Sequence, residues 1–199
     1  MDKYDTSYND PYCYSGTSVL KNKLNIRNFD ELENAEREIT AYSLKYIQYQ
    51  KPPYNLLYLQ TLHKQLFSEL YEWAGELRTV NIFKGDTTFC YYDYLESASS
   101  DLFRKLEQEQ WLKGLNTDSF CEKLAEYYCE FNILHPFREG NGRVQRLFFE
   151  HLSLYNGYVL DWNVITHTDE WIQANIDGVI DYVPMENIFK RILKYTRFQ

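Results

Sequence analysis

Long apolar runs are missing from these 199 residues. No stretch reaches the roughly 20 apolar residues that a bilayer-spanning helix needs, and the polar, acidic start lacks the pattern of a secretory leader. Cysteine is scarce. Cys13, Cys90, Cys121 and Cys129 are the only four, and none forms a C-x-x-C pair, which argues against a zinc or dithiol redox site. The scarcity fits a reduced, cytoplasmic setting, with Cys121 and Cys129 as small core hydrophobes. Glycine and proline number only 8 and 5, too few for a low-complexity or linker-rich chain, and no internal repeat is present. Positive charge is in deficit, with a net charge of −8. That argues against a general nucleic-acid binder and against a protein for anionic membrane surfaces. The phosphate-binding loop G-x-x-x-x-G-K-[ST] and the kinase signature set are both absent, which closes those routes to nucleotide chemistry.

What remains is helical patterning. The length suits one domain with a substantial core. Residues 1–27 lack periodicity and read as an arm laid over a single domain spanning 28–199. Asn28 and Glu31 form a candidate capping box, followed by Leu32, Ala35, Ile39, Tyr42 and Tyr46 at helical spacing, with Lys51-Pro52-Pro53 as the stop. Asn55 caps a second helix that turns Leu56, Leu59, Leu62, Leu66 and Leu70 inward. Two β-rich runs, 79–83 and 87–91, flank Lys84-Gly85-Asp86 and predict a hairpin. Asp93 and Glu96 are candidate caps for a third helix ended by Gly114. Thr117 starts a strongly apolar helix running into His135 and ended by Pro136; a further helix from Val144 closes at Gly157. Shorter helices are expected over 171–180 and 188–195. The fold class is mainly α with one small β-hairpin.

The densest chemistry lies in His135-Pro136-Phe137-Arg138-Glu139-Gly140-Asn141-Gly142-Arg143-Val144-Gln145-Arg146. Singly, a histidine beside an apolar run is ordinarily structural and Gly-Asn-Gly only a turn. Together they hold a proton acceptor, a carboxylate, an anion-binding nest at a helix N-terminus and three arginines. A net-acidic chain with arginines crowded here favours a small anionic ligand over a polyanion. His135 is the candidate general base, since an imidazole with pKa near 6.5 accepts protons around neutrality. Glu139 is the candidate Mg²⁺ ligand, because Mg²⁺ takes one or two carboxylates and completes its shell with phosphate oxygens and water. Gly140, Asn141 and Gly142 supply the nest, and Arg143 and Arg146 match phosphate oxygens with forked donors. Arg138 is a weaker candidate for the same role, with solvent exposure as its alternative.

The pattern H-P-F-x-E-G-N-G-R-x-x-R closely resembles the signature of the Fic family (filamentation induced by cyclic AMP). Trp73-Ala74-Gly75-Glu76-Leu77-Arg78 resembles that family's W-A-G-x-x-R segment, and Ile82–Phe89 resembles its flap; the likeness runs over about residues 10–190. The resemblance implies a helical Fic fold and AMP transfer from ATP, with Mg²⁺, to a Ser, Thr or Tyr hydroxyl of a target protein. It places the target at the flap, with Lys84, Gly85, Asp86 and Thr87 at the tip. Among possible targets it points to type II topoisomerase subunits. Two other readings stand beside it: transfer of a different phosphate-linked group, such as phosphate itself, or a partner-inhibited binding module without turnover. Many relatives are restrained by a helix [S/T]-x-x-x-E-[G/N] acting on the second motif arginine, here Arg146. Ser68 with Glu72 and Thr166 with Glu170 have the spacing, but Trp73 and Trp171 occupy the last position. The expected brake is therefore a separate small antitoxin-like protein, with this chain as the toxin of the pair.

Overall fold

The computed structural model describes residues 4–6, 10–85 and 87–196, so Asp86 of the expected flap tip lies outside the described residues. Among the described residues seven helices carry the fold: α1 Phe29–Leu44, α2 Leu56–Phe67, α3 Leu95–Gln108, α4 Thr117–Leu134, α5 Asn141–Tyr155, α6 Thr168–Asp177 and α7 Val183–Ile192. Five short strands accompany them: β1 Asp5–Thr6, β2 Ile82–Lys84, β3 Thr87–Thr88, β4 Tyr158–Leu160 and β5 Leu193–Tyr195. Among the described residues no helix is long and apolar enough to cross a membrane.

α4 is the axis of the molecule because it is apolar on most of its circumference. Phe120, Cys121, Leu124, Ala125, Tyr127, Tyr128, Phe131 and Leu134 are all buried on it. α5 and α7 pack against it, and α2 packs on α5. Phe131 stacks on Phe148 of α5 at 5.0 Å and meets Phe103 of α3 edge-on at 5.1 Å. Burying one such ring contributes about 1.5–3 kcal/mol, so this seam holds three helices together. All four cysteines are free thiols. Cys121 and Cys129 sit in the core, where burial raises both thiols, to about 11 and 12.

The caps follow the sequence. Asn28 Oδ1 accepts from the Glu31 amide at 3.0 Å and Asn55 Oδ1 from the Tyr58 amide at 2.8 Å. Asn116 caps α4 in the same way, one residue before the expected start. Several expectations are corrected. α1 ends at Leu44, well before the prolines; Tyr42 on it and Tyr46 just after it are exposed. Its inward stripe is Leu32, Glu36 and Thr40. A glutamate is drawn inward because it has charged and hydroxyl partners there. No side chain caps α3, which follows a single 3₁₀ turn over Tyr92–Tyr94. The hairpin is shorter than expected, and β1 adds a third strand to it, pairing Asp5 with Phe83 and Thr6 with Ile82. The C-terminal helical reading gives way after Ile192 to β5, antiparallel to β4. Residues 10–27 do more than lie over the surface: Cys13, Val19 and Leu20 join the main core.

Candidate active site

The loop between α4 and α5 is built to aim two groups at one cleft. His135 ends α4 in a left-handed conformation with φ 44°, which turns its ring off the helix axis toward the flap. Its Nδ1 lies 2.9 Å from the Asn132 carbonyl. A carbonyl only accepts, so Nδ1 carries the proton and Nε2 keeps the lone pair. The ring stacks on Phe89 at 3.9 Å. Burial, with the nearby Arg78 and Lys84 charges acting in the same direction, lowers its pKa to about 3. The imidazole is therefore neutral at pH 7, and its Nε2 accepts a hydrogen bond from the Tyr4 hydroxyl at 2.8 Å.

The loop is held from both sides. Arg78 is buried and its guanidinium donates to the carbonyls of His135 at 2.8 Å, Leu134 at 3.4 Å and Val80 at 2.7 Å, and to that of Cys90. It thus ties the end of α4 to the flap. His63 accepts from the Gly75 amide at 2.8 Å through Nδ1 and donates from Nε2 to the Glu139 carbonyl at 3.0 Å. Burial lowers His63 to about 4, and it stacks between Phe67 and Phe137. Neither residue was assigned a role from the sequence. The W-A-G-x-x-R segment was the available signal for both, since it contains Arg78 and the Gly75 that holds His63.

Gly140 begins α5 with φ 80°, and a Cβ there would lie 2.2 Å from Phe67 Cζ, so the position admits only glycine. Gly142 is different: a Cβ would meet nothing in the protein within 4 Å. Glu139 Oε1 accepts from the Gly140 amide at 2.9 Å and lies 3.5 Å from Arg143 Nη2. Arg143 also pairs with Glu36 of α1, bonds Thr40 Oγ1 at 3.2 Å and lies over the Phe67 ring. Glu36 in turn accepts from the Tyr71 hydroxyl at 2.5 Å, which accounts for its inward position. Arg146 is exposed and lies between the rings of Trp162 and Trp171, at 5.3 and 5.2 Å.

One cleft of about 410 Å³ gathers His135, Glu139, Gly140, Gly142, Arg143 and Arg146 with Lys84 and Thr87 of the flap. Such a volume suits a nucleotide-sized ligand. Tyr4, Asn132, Trp171 and Ile176 are also among its walls. Gly85 sits at the exposed turn with φ 57° and does not line it. One sequence candidate, Arg138, is corrected, while Asn141 stays available to the nest through its backbone. Asn141 spends its side chain within the loop, accepting from the Phe137 amide at 2.9 Å and donating to the Phe137 carbonyl at 2.7 Å; only its backbone amide is left for a nest. Arg138 is fully buried, does not line the cleft and is paired with Asp10 at 2.6 Å. A buried guanidinium needs a compensating carboxylate, and the N-terminal segment supplies it.

Among the described residues no group of three His, Cys, Asp or Glu side chains could hold a metal by itself. A single cleft-facing carboxylate fits Mg²⁺ bound jointly with phosphate oxygens, and does not fit zinc. Neither Ser68–Glu72 nor Thr166–Glu170 brings a carboxylate to Arg146: Glu72 pairs with Lys23 and Glu170 with Arg191.

The chain is similar to known proteins over nearly all its length. Residues 53–153 match the Fic/DOC family. A probable protein adenylyltransferase of Escherichia coli (strain K12) is 43% identical over 92% of both chains. The protein adenylyltransferase VbhT of Bartonella schoenbuchensis is 37% identical over 89% of this chain and 37% of its own length. The crystal structure of BepC, an effector protein from Bartonella tribocorum with bound AMPPNP, superposes with a TM-score of 0.83 at 28% identity, covering 94% of this chain and 98% of that one. With the motif, the fold and these relatives in agreement, the chain belongs to the Fic/DOC family.

Proposed function

We propose that this chain is a protein adenylyltransferase that moves AMP from ATP to a hydroxyl of a target protein. The observation that carries the reading is the neutral His135, its Nε2 lone pair facing the same cleft as the α5 N-terminus and Glu139. The amides of Asn141 and Gly142 open α5, where the first turn has no intrahelical acceptors. They receive phosphate oxygens, and Gly142 leaves room for close approach. Arg143 and Arg146 neutralise the distal phosphates. Glu139 would hold Mg²⁺, which would spread the charge of the phosphates. Trp171, Ile172 and Ile176 give the cleft an apolar end suited to a base. His135 accepts the hydroxyl proton, the oxygen attacks the α-phosphorus in line, and pyrophosphate leaves.

Glu139 and Gly142 stand where the resemblance implies AMP transfer and not phosphate transfer. The flap, through Lys84, Gly85, Asp86 and Thr87, positions the target, and type II topoisomerase subunits are the first targets to try. With Arg146 carrying no ion pair among the described residues, the brake is a separate small protein, and the unrestrained chain is a toxin. Incubating a bacterial lysate with labelled ATP tests the reading. Wild type should label a protein by AMP mass, and His135→Ala should lose labelling by about 10²–10⁴-fold while keeping ATP affinity. A phosphate adduct, or undiminished labelling by the variant, would overturn it.

A further inference from the structure

Arg146 lines the cleft with no carboxylate on it, yet one stands a single helical turn away. Glu150 follows Arg146 by four residues on α5, and side chains at that spacing are neighbours on a helix surface. An arginine and a glutamate so placed can pair. Here Glu150 is engaged elsewhere: its Oε1 accepts from the Trp162 indole Nε1 at 2.6 Å. The same indole offers its face to the Arg146 guanidinium at 5.3 Å, and Trp171 offers a second face at 5.2 Å. The two indoles meet edge-on at 5.5 Å, and Trp162 also meets the buried Phe189 of α7 at 6.4 Å. Aromatic faces attract a guanidinium without neutralising it. A carboxylate would neutralise it and draw it along the helix. Trp162 therefore makes two contacts with one ring. Any aromatic residue supplies the face; only the N–H holds the carboxylate.

We propose that Trp162 is a positioning residue for ATP: its indole N–H keeps Glu150 off Arg146, so that the guanidinium stays available to the distal phosphates. This rests on the AMP-transfer reading above and on its assignment of those phosphates to Arg146. Without the N–H, Glu150 pairs with Arg146 along α5, and the cleft loses a cation where the triphosphate ends. The loss falls on nucleotides that carry distal phosphates. AMP, which has none, binds as before.

Calorimetry on the full-length chain with Mg²⁺, comparing AMPPNP with AMP, tests this. Trp162→Phe keeps the ring face and removes the N–H. It should bind AMPPNP about tenfold or more weakly, as expected for a lost charge-assisted contact, with AMP affinity unchanged. Glu150→Gln should have little effect alone, yet restore AMPPNP binding in the Trp162→Phe background, a coupling that a double-variant cycle isolates. A Trp162 that only supports the fold would weaken both nucleotides alike and would not be rescued. Equal losses for AMPPNP and AMP, full AMPPNP affinity in Trp162→Phe, or no rescue by Glu150→Gln would each overturn the inference. Arg146→Ala separates the two levels. If it weakens AMPPNP while Trp162→Phe does not, only the role of Trp162 fails. If it binds AMPPNP like wild type, the phosphate assignment in the proposed function fails with it.

Discussion

Two glycines two positions apart serve different ends. Gly140 is required by the protein: its positive φ costs an L-residue about 1–2 kcal/mol, and a Cβ would overlap the Phe67 ring at 2.2 Å. Gly140→Ala should lower unfolding stability by about 2–4 kcal/mol, strain and overpacking together, read as a lower urea midpoint. Gly142 has ordinary helical geometry and open space where its Cβ would be. Gly142→Ala should leave stability unchanged or raise it by about 0.5–1 kcal/mol, as alanine does within a helix, while weakening ATP binding in calorimetry. If both variants lose only stability, the cleft side of Gly142 is not where phosphate lies. The same contrast separates the arginines. Arg138 in the α4–α5 loop and Arg143 in the first turn of α5 are close in sequence, yet one is sealed against Asp10 and the other lines the cleft.

At the scale of elements, the flap and the α4–α5 loop are one unit because Arg78 joins them through four carbonyls. Charge-assisted hydrogen bonds contribute about 1.5–3 kcal/mol each. Arg78→Met, which leaves several of those carbonyls unsatisfied, should therefore cost about 3 kcal/mol or more in urea unfolding. Arg78→Lys should recover only part, since one ammonium cannot span acceptors on both elements. The flap turn offers a second prediction. Gly85 has φ 57° and proline is fixed near −65°, so Gly85→Pro should distort the hairpin. Because Gly85 does not line the cleft, target labelling should fall by about tenfold or more, misplacement of a reactant being worth up to about 10²-fold, with ATP affinity little changed. Equal losses in both assays would show that the hairpin serves the nucleotide as much as the target.

For the molecule as a whole, three buried histidines couple folding to pH. Burial lowers His63 and His151 to about 4 and His135 to about 3, against about 6.5 in the unfolded chain. Between those values the unfolded chain binds more protons than the folded one. The stability these groups contribute is fully present above pH 6.5 and is lost as pH falls toward 4. Each histidine accounts for at most about 1.4 kcal/mol per pH unit. Urea midpoints measured at pH 7, 6 and 5 should fall progressively; a flat profile would mean that these imidazoles are not buried as neutral groups.

The sequence by itself determined whatever rests on neighbours a few residues apart. The caps at Asn28 and Asn55, the apolar α4 and the break at His135-Pro136 all follow from spacings of one to four residues along the chain, whereas α5 begins at Asn141, three residues before the expected Val144. The twelve-residue motif was legible for the same reason: its groups are contiguous, so a single loop brings them together. Tertiary structure decided what depends on partners far along the chain. Arg138 meets Asp10 across 128 positions and Tyr4 meets His135 across 131. Glu36 is buried on α1 because Arg143 and Tyr71 receive it. Strands of two or three residues, such as β1 and β5, carry too short a pattern to be read in advance, and their existence is owed to the edges they find. Local periodicity can say which residues share a face; only the packed chain says which charge is neutralised in the core and which is left to face the cleft.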